Sequence, residues 1–148
     1  YKVLTKDIIA FDEEISDSLG MDPVKVRHAW VANDFINFYF TFWGGSPDIT
    51  HMINLTQLPD LNEDGAIVME FRHNAHEDPY SRPYNALVSF PVKSLELPEG
   101  VNASQVNLLI RYQSLNGIRE VEKDLEFDAE PESSEVDYST LSRETLLK

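Results

Sequence analysis

Nine residues limit the fold of this chain more than any others. From Phe35 to Trp43 the sequence reads Phe-Ile-Asn-Phe-Tyr-Phe-Thr-Phe-Trp. β-Branched and aromatic residues at this density favour an extended strand. Side chains alternate between the two faces of a strand, so Ile36, Phe38, Phe40 and Phe42 share one face. Phe35, Asn37, Tyr39, Thr41 and Trp43 share the other. The all-apolar row predicts the core side. Gly44-Gly45-Ser46-Pro47 ends the run.

Shorter segments repeat the same period. Val24, Val26, His28 and Trp30 alternate with Lys25, Arg27 and Ala29. Asn33-Asp34 is a turn pair. Further strands are predicted over about 49–58, 66–73, 86–90, 106–113 and 118–127. Loops over 59–65 and 76–83 separate them, both rich in polar residues and proline. Asn116-Gly117 predicts a hairpin in which both residues take positive φ. About seven strands at these spacings predict an all-β fold, an antiparallel β-sandwich of immunoglobulin-like or similar type, more than a barrel. The sandwich is expected over 24–127. Residues 1–23 read as a lead-in, with a helical turn or two over 11–19 stopped by Gly20. Residues 128–148 read as an acidic tail with a short helix near Tyr138–Leu147. Tyr138, Leu141, Leu146 and Leu147 are its predicted docking anchors.

The totals exclude several functions. The 148 residues carry a formal charge of -14. An acidic surface repels nucleic acid and anionic membranes, so neither is an expected partner. Calcium or a basic partner would suit the charge better. The chain has no cysteine, which removes disulfides, thiol catalysis and cysteine metal sites. No apolar run reaches the roughly 18 residues of a membrane span, so this segment is not expected to insert. The chain opens on Tyr1, which fits a processed fragment from which an export signal could have been removed.

Candidate chemistry rests on a few residues. His73 and His76 have the spacing of a metal-ligand pair and precede Glu77 and Asp78. Strand parity instead puts His73 on the buried face after Ile67, Met69 and Phe71, as a histidine closing the core, with His76 in the loop. His51 faces Ile49 and Ile53, and His28 faces Val26 and Trp30; both read as satisfied core or boundary residues. Tyr39 and Trp43, opposite the phenylalanine row, could stack on a sugar if that face is open; the alternative is that another segment covers them. Glu120, Glu122, Asp124 and Glu126 could gather calcium. Alternate strand residues stand about 6.6 Å apart with diverging side chains, so edge protection fits better. Asn54-Leu55-Thr56 and Asn102-Ala103-Ser104 match a glycosylation triplet, a pattern common by chance. There is no nucleophile elbow, phosphate loop or dinucleotide fingerprint. No catalytic residue and no cofactor is assigned.

The order of short motifs resembles one family. Val3-Leu4-Thr5-Lys6 leads to Asp17-Ser18-Leu19-Gly20-Met21-Asp22-Pro23-Val24, then Ala29-Trp30-Val31 and Asp34-Phe35-Ile36-Asn37-Phe38. Phe71-Arg72-His73-Asn74-Ala75, Val88-Ser89-Phe90 and the turn from Tyr112 to Gly117 follow. This series resembles the NigD-like proteins of Bacteroidetes. The resemblance implies an exported lipoprotein of the periplasm or outer membrane, with a small OB-like domain ahead of a C-terminal β-sandwich. Residues 1–23 would then be the end of that first domain and a linker, and a lipid anchor would lie upstream. The family name associates these proteins with bacteriocin immunity. His73 and Asn74 match its arginine–histidine–asparagine segment, to which no role attaches. The expected function is a non-enzymatic cell-envelope interaction module with an unknown protein or glycan partner. The alternatives are a carbohydrate-binding module using Tyr39 and Trp43, or a metal-dependent enzyme around His73 and His76.

Overall fold

A computed structural model describes residues 3–99 and 106–125, and two packed sheets account for most of them. The strands are β1 (Leu4–Thr5), β2 (Ile9–Ala10), β3 (Lys25–Ala32), β4 (Phe35–Gly44), β5 (Met52–Leu61), β6 (Ile67–Asn74), β7 (Arg82–Pro91), β8 (Asn107–Ser114) and β9 (Gly117–Asp124). One helix, α1 (Glu13–Leu19), lies between β2 and β3. One sheet has the order β1-β7-β4-β3 and the other β2-β5-β6-β8-β9. The predicted tail, its anchors, Glu126 and the Asn102-Ala103-Ser104 triplet lie outside the described residues.

The phenylalanine row sits where its period puts it. Ile36, Phe38, Phe40 and Phe42 are at most 1% exposed. They meet Ile53, Leu55, Met69, Phe71, Leu108 and Ile110 of the facing sheet. Phe38 stacks on Phe71 with ring centroids 4.5 Å apart, and Phe90 meets Phe38 edge-on at 5.9 Å. These offset and edge contacts are the arrangements the aromatic quadrupole favours.

The sheets are mixed, not antiparallel throughout. β3–β4, β4–β7, β5–β6 and β8–β9 are antiparallel. β6 and β8 are parallel because the chain crosses to the other sheet as β7 and then returns. The segment read as a lead-in also joins the sandwich. β1 pairs in parallel with β7 and β2 with β5, so the chain changes sheets between Thr5 and Ile9. At the crossing, Lys6 Nζ donates to the Ile53 carbonyl and to Asn54 Oδ1, both at 2.7 Å.

Three further expectations are corrected. The third long strand runs to Leu61, through Pro59. An irregularity between Gln57 and Leu61 accommodates the missing N–H. β3 carries a bulge between Val26 and His28. The extra residue reverses the parity, so Ala29 and Val31 enter the core and Trp30 turns to the outer face. At the β8–β9 hairpin only Gly117 takes positive φ, at 116°, and Asn116 does not. The Asn33-Asp34 turn, by contrast, has both residues left-handed, at 55° and 66°, as a tight primed hairpin requires.

Candidate functional site

The polar residues that matter converge at one end of the sandwich. Ile53 of β5 lies directly opposite His73 of β6. His51 stands two residues before Ile53 and so shares its face. The two rings therefore stack inside the core, with centroids 5.1 Å apart and planes 16° apart. His51 Nδ1 lies 2.8 Å from His73 Nε2. On its other side, His51 Nε2 lies 2.7 Å from Asp78 Oδ2. His73 Nδ1 closes the far end on the Pro23 carbonyl at 3.3 Å. Asp78, His51 and His73 are each at most 2% exposed. Phe42 packs against both rings.

The fourth strand ends in glycine beside this relay for a steric reason. A Cβ on Gly44 would lie 2.6 Å from Asp78 Oδ2 and 2.9 Å from His51 Nε2. The turn that follows supplies the second bond to the carboxylate. The Ser46 N–H donates to Asp78 Oδ1 at 3.0 Å.

Proton counting defines the state of the relay. Three hydrogen bonds need three protons. Pro23 offers only an acceptor, so His73 Nδ1 must be its donor, and His73 Nε2 must accept from His51 Nδ1. Two neutral rings supply two protons. The third is shared between His51 Nε2 and Asp78 Oδ2, which leaves the relay neutral overall. Burial pushes the His73 pKa down from 6.5 to about 4, and the neighbouring His51 adds to the effect against opposing contributions from Asp22, Pro23 and the backbone. Burial raises the Asp78 carboxyl, but hydrogen bonds from His51 and from the Gly45 and Ser46 backbone outweigh it, and the net shift is below 3.8.

These shifts predict an acid limb in stability. His73 has a lower pKa folded than unfolded, so the unfolded chain binds the extra proton. The His73 contribution is full above pH 6.5 and is lost as pH drops through the window from 6.5 to about 4. The loss amounts to about 3 kcal/mol. The contribution of Asp78 has the same sign and is lost at lower pH, from its unfolded value of 3.8 downward. Urea unfolding at a series of pH values checks this.

A second cluster docks α1 on β6. Asp12 caps the helix start, accepting from the Glu14 N–H at 2.9 Å. The helix end has no basic residue of its own. Arg72, 5% exposed, reaches across from β6 to supply one. Its Nε donates to the Gly20 carbonyl at 2.6 Å and its Nη2 to the Ser16 carbonyl at 2.7 Å. Its Nη1 meets Glu70 Oε1 at 3.1 Å. Asn74 Nδ2 donates to the Ser18 carbonyl at 2.9 Å. The last carbonyls of a helix lack intrahelical donors, and these two side chains provide them. Arginine 72, histidine 73 and asparagine 74 thus act as one segment: the outer two hold the helix, and the middle one enters the relay.

Gly20 allows this contact. It sits at φ 73° and ψ 168°, a region only glycine adopts readily. A Cβ there would lie 2.5 Å from the His73 carbonyl oxygen and 2.8 Å from Asn74 Cα. Gly20→Ala is expected to lower stability by about 2–3 kcal/mol, read by chemical denaturation.

The structure separates the pair suggested by sequence spacing. His73 is buried in the relay. His76 is exposed and its Nδ1 engages the Thr50 carbonyl at 2.6 Å. Among the described residues no group of three or more His, Asp or Glu side chains is arranged to hold a metal ion. Tyr39 is 4% exposed and packs with Trp30, Ala32 and Leu87, while Trp43 is half-buried. His28 is half-buried on the outer face, its ring 5.1 Å from that of Trp30. Asn54 is buried against Lys6, a poor glycosylation acceptor. Glu120, Glu122 and Asp124 are exposed on β9, the last strand of its sheet. Sequence parity put His51 and His73 on the core side. Their union with Asp78 had no signal in the spacing, because a loop residue completes it.

The NigD-like C-terminal beta sandwich domain matches residues 7–128. A candidate toxin-related protein from Parabacteroides distasonis is similar in structure, with a TM-score of 0.66 and 31% identity, over 83% of this chain and 62% of that one. A Bacteroides vulgatus protein of unknown function has a TM-score of 0.70 and 21% identity, over 95% of this chain and 66% of that one. A NigD-like immunity protein from Bacteroides caccae has a TM-score of 0.62 and 20% identity, over 83% of this chain and 60% of that one. This chain therefore spans less than two thirds of the length of each. No curated protein matches it significantly.

Proposed function

This chain belongs to the NigD-like family, whose C-terminal β-sandwich domain it matches over residues 7–128, and from that premise we propose that it serves as a non-enzymatic interaction module of the cell envelope. One observation carries the reading. The most reactive-looking constellation, Asp78–His51–His73, is closed. All four ring nitrogens are engaged within the chain, and the three residues are at most 2% exposed. A general base must reach a substrate proton directly or through one water, and a dyad needs an activated nucleophile beside it. Both ring nitrogens of each histidine are already committed to other partners.

The finer reading is toxin immunity by binding. Its support is that two similar structures are described as an immunity protein and as a candidate toxin-related protein. The proposal includes export as a lipoprotein, and the family resemblance supports it. A glycan partner is less favoured, because Tyr39 is buried and leaves only Trp43 partly reachable for stacking.

A panel of ester, amide, glycoside and phosphate substrates tests the core of this proposal. No turnover above buffer is expected. Turnover that a single polar substitution abolishes, His51→Phe for instance, sinks it. Cell fractionation tests the location: the protein is expected with the membranes, and recovery in the cytosol argues against it.

A further inference from the structure

We propose that the Asp78–His51–His73 relay is an acid-released latch, which holds the loop of residues 75–81 against the Gly44–Ser46 turn and the Pro23 segment at neutral pH and lets it go on acidification. The latch is a property of the fold and does not depend on which partner the protein binds.

The geometry puts Asp78 where the loop meets both the Gly44–Ser46 turn and the histidine pair. Asp78 accepts from Ser46 N–H through Oδ1 and engages His51 through Oδ2. Its own N–H donates to the Ala75 carbonyl at 3.0 Å. His73 reaches the Pro23 carbonyl, and the Asp22 N–H donates to the His73 carbonyl at 2.8 Å. The loop is therefore fastened through a buried chain of exchangeable protons, alongside the Ala75 N–H bond to Asp22 Oδ2 at 2.7 Å and the His76 contact with the Thr50 carbonyl.

The loop also stores strain that favours release. His76 and Glu77 sit at φ 50° and 64°, both left-handed and neither glycine. Such residues persist only where the surroundings hold them. Tyr80, 50% exposed, sits at the outer end of the loop.

Acid breaks the chain by proton count. Three links carry three protons in the closed state. A fourth proton on the histidine pair can enter only at His73 Nε2, which already accepts, so two N–H groups then face each other across the His51–His73 link. Burial between Phe42 and the sheets leaves no water to relieve the conflict. Other titratable groups near the relay are Asp22 beside His73, Tyr80 donating to Asp22 Oδ1 at 3.3 Å, His76 on the Thr50 carbonyl, and Tyr84 stacked on Phe42. Asp22 favours the extra proton on His73, and burial with His51 opposes it more strongly. The closed loop thus binds the proton less readily than the open one, so falling pH favours opening.

Amide hydrogen exchange tests the latch, with rates corrected for intrinsic pH dependence. The probes are the Ser46 and Asp78 amides at the latch and the Phe38 and Phe71 amides in the core. One linked proton predicts that latch protection falls about tenfold per pH unit below about pH 6.5. Measured with and without low urea, latch exchange should be nearly independent of urea, as a local opening is, while core exchange carries the full urea dependence of global unfolding. In His73→Gln, which accepts from His51 without titrating, the slope should disappear. Latch amides that exchange only with the urea dependence of the core overturn the proposal, as does a slope that survives in His73→Gln. If that variant does not fold, the wild-type comparison of latch with core decides alone.

Discussion

Asp78→Ala is expected to lower folding stability by about 3–5 kcal/mol, whereas Asp78→Asn should cost only about 1 kcal/mol. The large value follows from what alanine leaves behind. His51 Nε2 and the Ser46 N–H both lose their partner in a buried site. Water does not reach them, so the full desolvation penalty stands. The small value follows from the proton count. An asparagine carbonyl can accept from Ser46, and its amide can donate to His51 Nε2. That amide supplies the third proton covalently, and the rest of the relay keeps its donors and acceptors. The ratio of the two effects, measured by urea unfolding at pH 7 or so, distinguishes a need for the right hydrogen atoms from a need for charge.

Arg72→Ala should be as damaging, at about 3–5 kcal/mol, because it strips donors from the end of α1. The Ser16 and Gly20 carbonyls lose bonds of 2.7 and 2.6 Å. Glu70 also loses its partner, but its side chain is 21% exposed and water offsets that part. Arg72→Lys should recover less than half of the loss. A lysine ammonium is a compact point charge and cannot span both carbonyls and Glu70 as a planar fork does. Denaturation of the two variants, with hydrogen exchange at Gly20, whose N–H donates to Asp17, locates the effect at the helix end.

Much of the frame was legible in the sequence because it depends on local rules. The Ile36-Phe38-Phe40-Phe42 row needed only strand parity. The Asn33-Asp34 turn needed only the tolerance of those residues for positive φ. The helix ending at Gly20 needed only the glycine that stops it. What stayed hidden depends on distant partners. The bulge that turns Trp30 outward has no strong local marker, since Arg27 and His28 are ordinary strand residues. The parallel pairing of β6 with β8 follows from where β7 goes, not from either sequence. Edge strands of two residues, β1 and β2, fall below any periodic signal.

The candidate site was half legible for the same reason. Parity put His51 and His73 on the buried side, and spacing suggested His76 as a companion. The companions turned out to be His51 itself and Asp78. Spacing of three residues along the chain carries little weight where the strand ends and the backbone turns left-handed at His76. Strand parity puts Arg72 on the face opposite Phe71, and only the helix across it explains why it is buried.

The central claim is that the relay is a closed structural lock and not a solvent-facing reaction centre. Histidine-ring NMR from about pH 3 to about pH 8 tests it most directly. The lock predicts His73 as one neutral tautomer, protonated at Nδ1, that takes up a further proton only near pH 4. It also predicts slow solvent exchange of the proton between His51 and His73. A His73 ring that titrates near 6.5, its ordinary value, with rapidly exchanging ring protons, would contradict the account.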